Sequence, residues 1–320
     1  MKENDIRDRN VFDKYLELVE KDVKNILDFN ELEHTKCLGC DEDNNSVFIN
    51  KKGFTYVKCN YCDTIYVNPR PSFENLSKFY SISESTLYWA NEFFPPVSEK
   101  RRQFIFKPRA EKLISLFSNI DSMVVGDIGA GHGMLLEELN KIKPSNDYIA
   151  IEPSKKMADI CRNKNFKVLE NMLEDIDINS NKKFDLLISH ELFEHLHNPK
   201  KFIKNVYNLL NTGGYFVMTT LNGLGFDIQL LKENSKSLEP PQHLNFLNPH
   251  SMNILFKSVG FEIIKISTPG KLDWNIVEGA ILEENKNVGN LWNLVCNLKN
   301  KHKEQLQNWI TSSGLSSHME

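Results

Sequence analysis

A glycine-rich turn follows a short apolar strand in the segment 124–136, which reads V-V-G-D-I-G-A-G-H-G-M-L-L. Gly129, Gly131 and Gly133 allow the backbone to turn sharply and to approach a ligand that a Cβ atom would block. The leucine-rich stretch after the turn predicts a helix whose first N–H groups face the same ligand. The segment therefore predicts a loop that binds a nucleotide-type cofactor.

The spacing of the glycines argues against a dinucleotide, because Met134 stands where that fingerprint has its third glycine. Asp127 places a carboxylate at the strand tip, where it suits a cationic group such as an amino-acid ammonium. S-adenosylmethionine carries such an ammonium and no phosphate. Glu152 ends the next predicted strand, where a carboxylate can accept hydrogen bonds from both ribose hydroxyls. We therefore predict an S-adenosylmethionine site, which also takes in Ala130 and Pro153.

Three motifs occur in order within residues 105–268: D-I-G-A-G-H-G, I-E-P-S and, at 184–199, F-D-L-L-I-S-H-E-L-F-E-H-L-H-N-P. In these motifs the chain resembles the class I S-adenosylmethionine-dependent methyltransferases, in the branch of ubiquinone-type O-methyltransferases and sugar methyltransferases. The resemblance implies a set of residues for each part of the cofactor. The methionine part would lie against Asp127, Gly129 and Gly131, the ribose against Glu152, and the adenine against Asn171, Met172 and Leu173.

The third motif adds candidates on the acceptor side. His190 falls where the family has its methionine-facing and substrate-facing loop, so it is a candidate for cofactor contact and for catalysis. Glu194 and His195 belong to the same signature and are candidates for substrate contact. His195 either orients this loop or touches the substrate.

Four cysteines form the pattern C-x2-C-x18-C-x2-C: Cys37, Cys40, Cys59 and Cys62. This spacing is typical of a zinc site, and four thiolates close the coordination sphere, which makes the site structural. The residues between the two pairs read as two strands joined at 51–53, so a β-hairpin would bring the pairs together. Two disulfides are the alternative, which the lack of an export signal disfavours.

A long connection at 221–249 carries the stretch E-P-P-Q-H-L-N-F and is predicted to be functional because of its length. Pro240 and Pro241 stiffen the backbone and fix where His243 points. A neutral imidazole can remove the acceptor's proton near pH 7, and His243 is the first candidate for this base and His190 the second. The alternative is a histidine that only hydrogen-bonds within its loop.

This stretch resembles the P-P-x-H-x-x-F/Y segment of sugar and small-molecule methyltransferases, in which the histidine is near the acceptor. Sugar C-methyltransferases also have a zinc ribbon and carry this histidine as a proposed base. The Tyr and Glu that flank their histidine are Pro240 and Gln242 here, and 320 residues leave no room for their usual further C-terminal domain. The departures favour methyl transfer to oxygen or nitrogen over transfer to carbon.

Alternating strands and helices predict a doubly wound, Rossmann-like α/β sheet. The predicted strands lie near 123–127, 147–151, 166–169, 184–189, 214–220 and 261–267, with a helix after each of the first five. The predicted units are an N-terminal helix at 1–33, a zinc ribbon at 34–70, an aromatic-rich helical lid at 71–107, the cofactor-binding domain at 108–268 and a helical extension at 269–320. Residues 311–320 read as disordered.

The aromatic side chains of the predicted lid are either core residues or parts of the active site. The family resemblance makes Tyr80, Tyr88 and Trp89 candidates for substrate contacts. Helical spacing of aromatic residues is also what a buried face requires.

The composition of the chain limits the classes of molecule that it is expected to bind. With 39 basic and 43 acidic residues, the net charge of −4 gives no long-range attraction to nucleic acid or to acidic membranes. No stretch reaches the length of a membrane span, and the polar first residues predict no signal peptide, so we expect a cytoplasmic enzyme. The expected acceptor is a small molecule such as a nucleotide-linked sugar. The alternatives are an RNA methyltransferase that docks RNA through its zinc module and a non-catalytic S-adenosyl-binding scaffold.

Overall fold

A computed structural model describes residues 7–177 and 183–320. Its strands are β1 Leu32–Glu33, β2 Asn45–Lys51, β3 Phe54–Cys59, β4 Ile65–Val67, β5 Arg70–Pro71, β6 Val124–Ile128, β7 Asp147–Ile151, β8 Lys167–Leu169, β9 Phe184–His190, β10 Leu210–Leu221, β11 Asn245–Phe246 and β12 His318–Met319. Its α-helices are α1 Arg9–Ile26, α2 Phe73–Ile82, α3 Glu84–Tyr88, α4 Phe94–Arg101, α5 Lys107–Leu116, α6 Met134–Ile142, α7 Lys155–Asn163, α8 Pro199–Leu209, α9 Phe226–Leu231, α10 Pro249–Val259, α11 Asp273–Leu282, α12 Asn290–Cys296 and α13 Asn300–Ser312.

A six-stranded sheet with the order β12-β10-β9-β6-β7-β8 forms the centre of the molecule. Five neighbouring strands, in the order β10-β9-β6-β7-β8, are parallel to one another. The sixth strand, β12, pairs antiparallel with β10. The chain moves outward from β6 in one direction through β7 and in the other through β9. Ligands of such sheets bind where the strand order reverses, at the carboxyl ends of the strands. The predicted Rossmann-like fold is confirmed.

Helices cover both faces of this sheet. Side chains of α5, α6 and α7 pack on one face, among them Ala110, Leu136 and Cys161. Those of α8 and α10 pack on the other face, including Phe202 and Leu255. Burial of each large apolar side chain contributes roughly 1.5–3 kcal/mol, so these two layers hold the strand ends in fixed positions.

The predicted hairpin forms, because β2 and β3 pair antiparallel and turn at Lys52 and Gly53. The ribbon sheet, however, has the order β11-β4-β3-β2 and takes its last strand from the long connection at 221–249. Its inner face shares one apolar core with α1, with the helices at 73–101 and with that connection. The ribbon is therefore packed into the body of the protein.

The end of the chain differs from its prediction. Residues 311–320 were predicted to be disordered, whereas they complete α13 and supply β12. Asp273 fixes this tail, because its carboxylate accepts hydrogen bonds from the Ser316 hydroxyl at 2.8 Å and from the Ser317 N–H at 2.7 Å. Polar residues at the end of a chain give no sequence signal for such a buried network.

Two predicted elements of the sheet region are also corrected. No strand forms at 261–267, where only Ser267 exchanges backbone hydrogen bonds with Glu320, at 2.8 and 2.7 Å. After β8, the described residues up to 177 contain a 3-10 turn at Leu173–Asp175 in place of a helix. Among the described residues, no helix is long and apolar enough to cross a membrane.

Candidate active site

The glycine loop leaves β6 at the carboxyl edge of the sheet, and its three glycines all have positive φ. At Gly133, with φ of 67°, an added Cβ would lie 3.0 Å from the Cys161 sulfur, so both the backbone and the packing require glycine. At Gly131, with φ of 53°, an added Cβ would meet nothing within 4 Å. The loop is thus tightly packed where the helix begins and open at its tip, where a ligand has room.

Two buried carboxylates flank this opening. Glu152 follows β7 and accepts hydrogen bonds from the N–H groups of Gly131 at 2.8 Å and Ser154 at 2.9 Å. Asp127, in β6, is 4% exposed. Within residues 7–177 and 183–320, no group donates a hydrogen bond to the Asp127 carboxylate. An ammonium group of a ligand could donate hydrogen bonds to this carboxylate.

Burial raises the pKa of both carboxyl groups. For Asp127 the pKa rises to about 7, because burial and the nearby Glu152 disfavour its charge more than Arg109 favours it. Burial raises the pKa of Glu152 as well, while its two backbone hydrogen bonds oppose this. Asp127 therefore changes its charge state near neutral pH.

The residues predicted to contact adenine lie at the same edge. Asn171 and Met172 are exposed between β8 and the 3-10 turn, and Leu173 is buried beneath them. Ala130 is half-buried in the glycine loop, and Pro153 is exposed after β7. These candidates therefore follow the carboxyl ends of β6, β7 and β8, which are neighbouring parallel strands.

The helical segment before β6 crosses the glycine loop. Phe94 stacks on His132, with ring centroids 4.4 Å apart and planes within 5°. Arg102 donates to Glu137 at 2.8 Å and to Glu138 at 2.6 Å on α6. These contacts place part of the predicted lid over the loop.

His190 lies at the end of β9 and is half-buried. Its Nδ1 is 2.9 Å from the Thr219 hydroxyl, and its Nε2 is buried with no hydrogen-bond partner in the described part of the chain. Burial and the nearby Arg109 hold the pKa of His190 well below its usual range. The ring is therefore neutral near pH 7.

A group of charged residues beside His190 was missed by the sequence analysis. Glu191 accepts from Arg109 at 2.7 Å and from the Thr219 hydroxyl at 2.8 Å, and His318 lies 3.5 Å from its carboxylate. Glu191 lies within the third motif, at 184–199, so the sequence alone could have identified it as a candidate site residue. Arg109 and His318 come from α5 and β12, and neither lies in a motif that would have revealed the contact.

Glu194, His195 and His243 come together on the acceptor side, although His243 lies in a distant part of the chain. Each offers one ligand atom within 4.8 Å of the others. The Nδ1 atoms of His195 and His243 lie 2.9 Å from the Gln242 carbonyl and 2.6 Å from the Ser237 carbonyl. Because a carbonyl only accepts, each neutral ring carries its proton on Nδ1 and its lone pair on Nε2. This cluster can therefore hold either a proton or a cation.

The charge states of this cluster follow from its burial. Burial lowers the pKa of His195 to about 4 and, together with the neighbouring His195, that of His243 to about 3. Burial and the nearby Glu191 raise the pKa of Glu194 to about 8. At pH 7 both imidazoles are neutral and Glu194 holds a proton.

The three aromatic candidates occupy different surroundings. The Tyr80 hydroxyl lies 3.4 Å from His195 Nδ1 and 3.4 Å from the Gln242 carbonyl, next to the cluster. Trp89 packs on Phe93 and on Tyr15 of α1, with ring centroids 4.1 and 5.0 Å apart. Tyr88 packs against the same core as Trp89. Of these three aromatic residues, only Tyr80 lies beside the cluster of Glu194, His195 and His243.

The four cysteines of the ribbon converge as predicted, with all ligand atoms within 4.8 Å of one another and all thiols free. Cys37 and Cys62 have their sulfurs 3.4 Å apart, and Cys40 and Cys59 have theirs 3.6 Å apart. Tetrahedral zinc with bonds of about 2.3 Å needs sulfurs about 3.8 Å apart, so a small adjustment suffices. The residues fit a structural zinc ion.

Comparison with known proteins agrees with this geometry. Residues 98–266 match the family described as "Methyltransferase domain". The ubiquinone biosynthesis O-methyltransferase of Coxiella burnetii is 27% identical over 157 residues, which cover 48% of this chain and 65% of that protein. The malonyl-[acyl-carrier protein] O-methyltransferase of Bacillus cereus is 26% identical over 130 residues, covering 39% and 48%.

Among solved structures, the O-methyltransferase of a Brevibacillus brevis polyketide synthase, in complex with S-adenosyl-L-homocysteine, has a TM-score of 0.47 and 15% identity. The match covers 71% of this chain and 74% of that one. The chain spans less than two thirds of the length of either curated relative. The family match, by contrast, spans more than half of the 320 residues, and the chain therefore belongs to the methyltransferase-domain family.

Proposed function

We propose that the protein transfers the methyl group of S-adenosylmethionine to an oxygen atom of a small-molecule acceptor. The observation that carries this proposal is the buried carboxylate of Asp127 at the tip of β6, beside the open glycine loop and Glu152. Ionised carboxylates beside the loop would repel a phosphate, whereas an ammonium and a ribose can donate hydrogen bonds to them.

The cofactor, when bound, supplies an activated methyl group on a sulfonium. The residues of this chain have to bind it, align the acceptor and remove one proton. Asp127 would hold the ammonium and Glu152 the ribose hydroxyls. Gly129, Ala130, Gly131, Gly133 and Pro153 would shape the loop, with Asn171, Met172 and Leu173 beside the adenine.

The acceptor's proton would leave through the cluster of Glu194, His195 and His243. His243 has a neutral ring with its lone pair on Nε2, as a proton acceptor requires. Protonation of His243 is more favourable in molecules whose Glu194 has already released its proton to solvent, a fraction that grows as the pH rises towards 8. In these molecules the Glu194 carboxylate, within 4.8 Å, attracts the positive charge of the protonated ring. His190, the second candidate, has a pKa held well below its usual range, and we propose it as a contact to the cofactor.

The proposed class of acceptor is inferred from the relatives and from the hydrogen-bonding side chains near the cluster of Glu194, His195 and His243. Both named relatives are O-methyltransferases, which supports an oxygen acceptor. The acceptor we propose is a nucleotide-linked sugar or a related metabolite, with Tyr80 as a hydrogen-bonding residue at the acceptor side. The four ribbon cysteines would hold a structural zinc ion.

The decisive experiment has two stages. Calorimetry with S-adenosylmethionine, with NAD as the control, first tests the cofactor. The purified protein is then incubated with isotopically labelled S-adenosylmethionine and a panel of nucleotide-linked sugars and phenolic metabolites, and products are detected by mass spectrometry. A product heavier by one labelled methyl group supports the proposal. Binding of NAD without binding of S-adenosylmethionine would refute it.

A further inference from the structure

The segment 235–248, which carries His243, lies along the whole length of the ribbon sheet. At the hairpin turn, Lys51 donates to the Ser235 carbonyl at 2.7 Å, and Lys52 forms an ion pair with Glu239. The Glu239 side chain is 4% exposed, and the Lys52 ammonium of the ribbon compensates its buried charge. The turn of the hairpin thus holds the beginning of the segment.

The middle of the segment is held by β3 and β4. Tyr56 is fully buried, and its hydroxyl donates to the His243 carbonyl at 2.8 Å. The Val67 N–H donates to the Leu244 carbonyl at 3.0 Å, and the pairing of β11 with β4 follows directly. These bonds fix the backbone of His243 itself.

The end of the segment is held beside the cysteine cluster. Asn248 donates through Nδ2 to the Cys62 carbonyl at 2.8 Å and caps α10 together with Ser251. Arg70, which is 1% exposed, donates to Asn245 Oδ1 and to the His197 carbonyl, each at 2.9 Å. The ribbon therefore connects its cysteine cluster to the loop after β9.

The opposite side of the segment faces that loop. The Leu244 N–H donates to the Glu194 carbonyl at 2.7 Å, and the Gln242 carbonyl lies 2.9 Å from His195 Nδ1. The segment is thus enclosed between the ribbon and the residues that His243 must meet. The Glu152 carboxylate, in contrast, is held by Gly131 and Ser154.

We propose that the ribbon sheet is the positioning frame of the acceptor site, with Tyr56 as the positioning residue of His243 and the cysteine cluster as its anchor. The frame acts on the cluster of Glu194, His195 and His243 and leaves the cofactor site unchanged. Only its consequence for turnover rests on the proposed methyl transfer. The placement of His243 is measurable without any acceptor.

The test compares Tyr56→Phe with Tyr66→Phe. Tyr66 is also fully buried, on the adjacent strand of the same sheet, but its hydroxyl meets Asn45. Hydrogen exchange of the amides of His243 and Leu244 should accelerate roughly 3- to 10-fold in Tyr56→Phe, as expected for the loss of one hydrogen bond. The Cε1–H resonance of His243 should shift in the same variant, and both signals should stay unchanged in Tyr66→Phe.

Lys52→Gln provides a second variant, because it breaks the ion pair with Glu239 and leaves the segment's sequence intact. It should accelerate exchange in 235–243 in the same way. Removal of the metal from the full-length protein with a chelator should accelerate exchange across 235–248, while the affinity for S-adenosylmethionine stays within about twofold. Equal effects of Tyr56→Phe and Tyr66→Phe, or unchanged exchange after chelation, would overturn the proposal. Failure to bind S-adenosylmethionine would instead contradict the proposed function. The hydrogen-exchange result would still decide whether the ribbon sheet positions His243.

Discussion

At the scale of single residues, the site combines groups whose charges are matched to different tasks. Asp127 and Glu194 are both buried carboxyl groups with raised pKa values. Asp127 is 4% exposed and has no hydrogen-bond donor among the described residues, whereas Glu194 accepts a hydrogen bond from the Thr220 hydroxyl at 2.9 Å. Asp127 is therefore suited to binding a cationic ligand, and Glu194 is suited to sharing a proton with the imidazoles of His195 and His243.

The ribose contact predicts a loss of cofactor affinity in Glu152→Ala. The variant removes a charge-assisted acceptor, so binding of S-adenosylmethionine should weaken by about 1–3 kcal/mol in calorimetry. Glu170→Ala is the matched control, because Glu170 is exposed at the end of β8 and pairs with Arg162. Equal affinities of Glu152→Ala and the wild type would remove Glu152 from the site.

The raised pKa of Asp127 predicts a dependence of cofactor affinity on pH. The ammonium of S-adenosylmethionine binds the ionised carboxylate, and the pKa of Asp127 is about 7 in the free protein. Affinity should therefore decrease as the pH falls from 8 through 7 to 6, and Asp127→Asn should abolish this dependence. Calorimetry at several pH values measures both, and a flat profile of the wild type would contradict the assignment.

The acceptor cluster predicts that His243→Ala lowers turnover by roughly 10²–10⁴, as expected for loss of a base. The affinity for S-adenosylmethionine should hardly change, and the loss should be smallest at high pH, where solvent hydroxide substitutes. The control is His250→Ala, which removes an exposed histidine at the start of α10. Wild-type turnover in His243→Ala would make this histidine a loop-ordering residue.

At the scale of elements, sequence patterns were informative where the signal is local. Local neighbours within a few residues determine the glycine loop, the carboxylates in β6 and after β7, the cysteine hairpin and α1. Each of these has the predicted form. Pairings between distant segments were not predicted. Phe246 in β11 and Met319 in β12 belong to two-residue strands, too short for any alternating pattern.

The candidate site shows the same division. Asp127, Glu152 and the glycines follow from motifs, whereas the meeting of His243 with His195 needed both a motif and a long connection folded back on the sheet. Arg109 and His318 could not be predicted as neighbours of Glu191, because α5 and β12 carry no local sign of that contact.

The ribbon predicts one zinc ion per chain in elemental analysis. Cys59→Ser should lose the metal and lower the melting temperature by several degrees, because the ribbon sheet shares its core with α1 and the segment at 235–248. Cys296→Ser, which changes a cysteine outside the cluster, should retain the metal. A metal-free, fully folded protein with the four cysteines in disulfides would contradict this prediction.

At the scale of the whole molecule, the C-terminal extension is part of the sheet. Its helices pack on α9 through Phe226, Trp274 and Ile310, and β12 brings His318 to Glu191. Asp273→Ala should therefore destabilise the protein by about 2–4 kcal/mol, since Asp273 is buried and accepts from Ser316 and Ser317. Denaturant unfolding measures this, with the exposed Asp121→Ala as the control. A change below about 0.5 kcal/mol would show that the tail is held by other contacts.

The bond between Tyr56 and His243 joins residues 187 positions apart. During synthesis the hairpin of β2 and β3 leaves the ribosome long before β11, so β4 waits as an open strand edge until the segment at 235–248 arrives. Closing so long a loop is slow, and the acceptor site is therefore assembled late in folding, after the first strands of the central sheet can already pair. A partly folded chain could thus bind cofactor before it can process an acceptor.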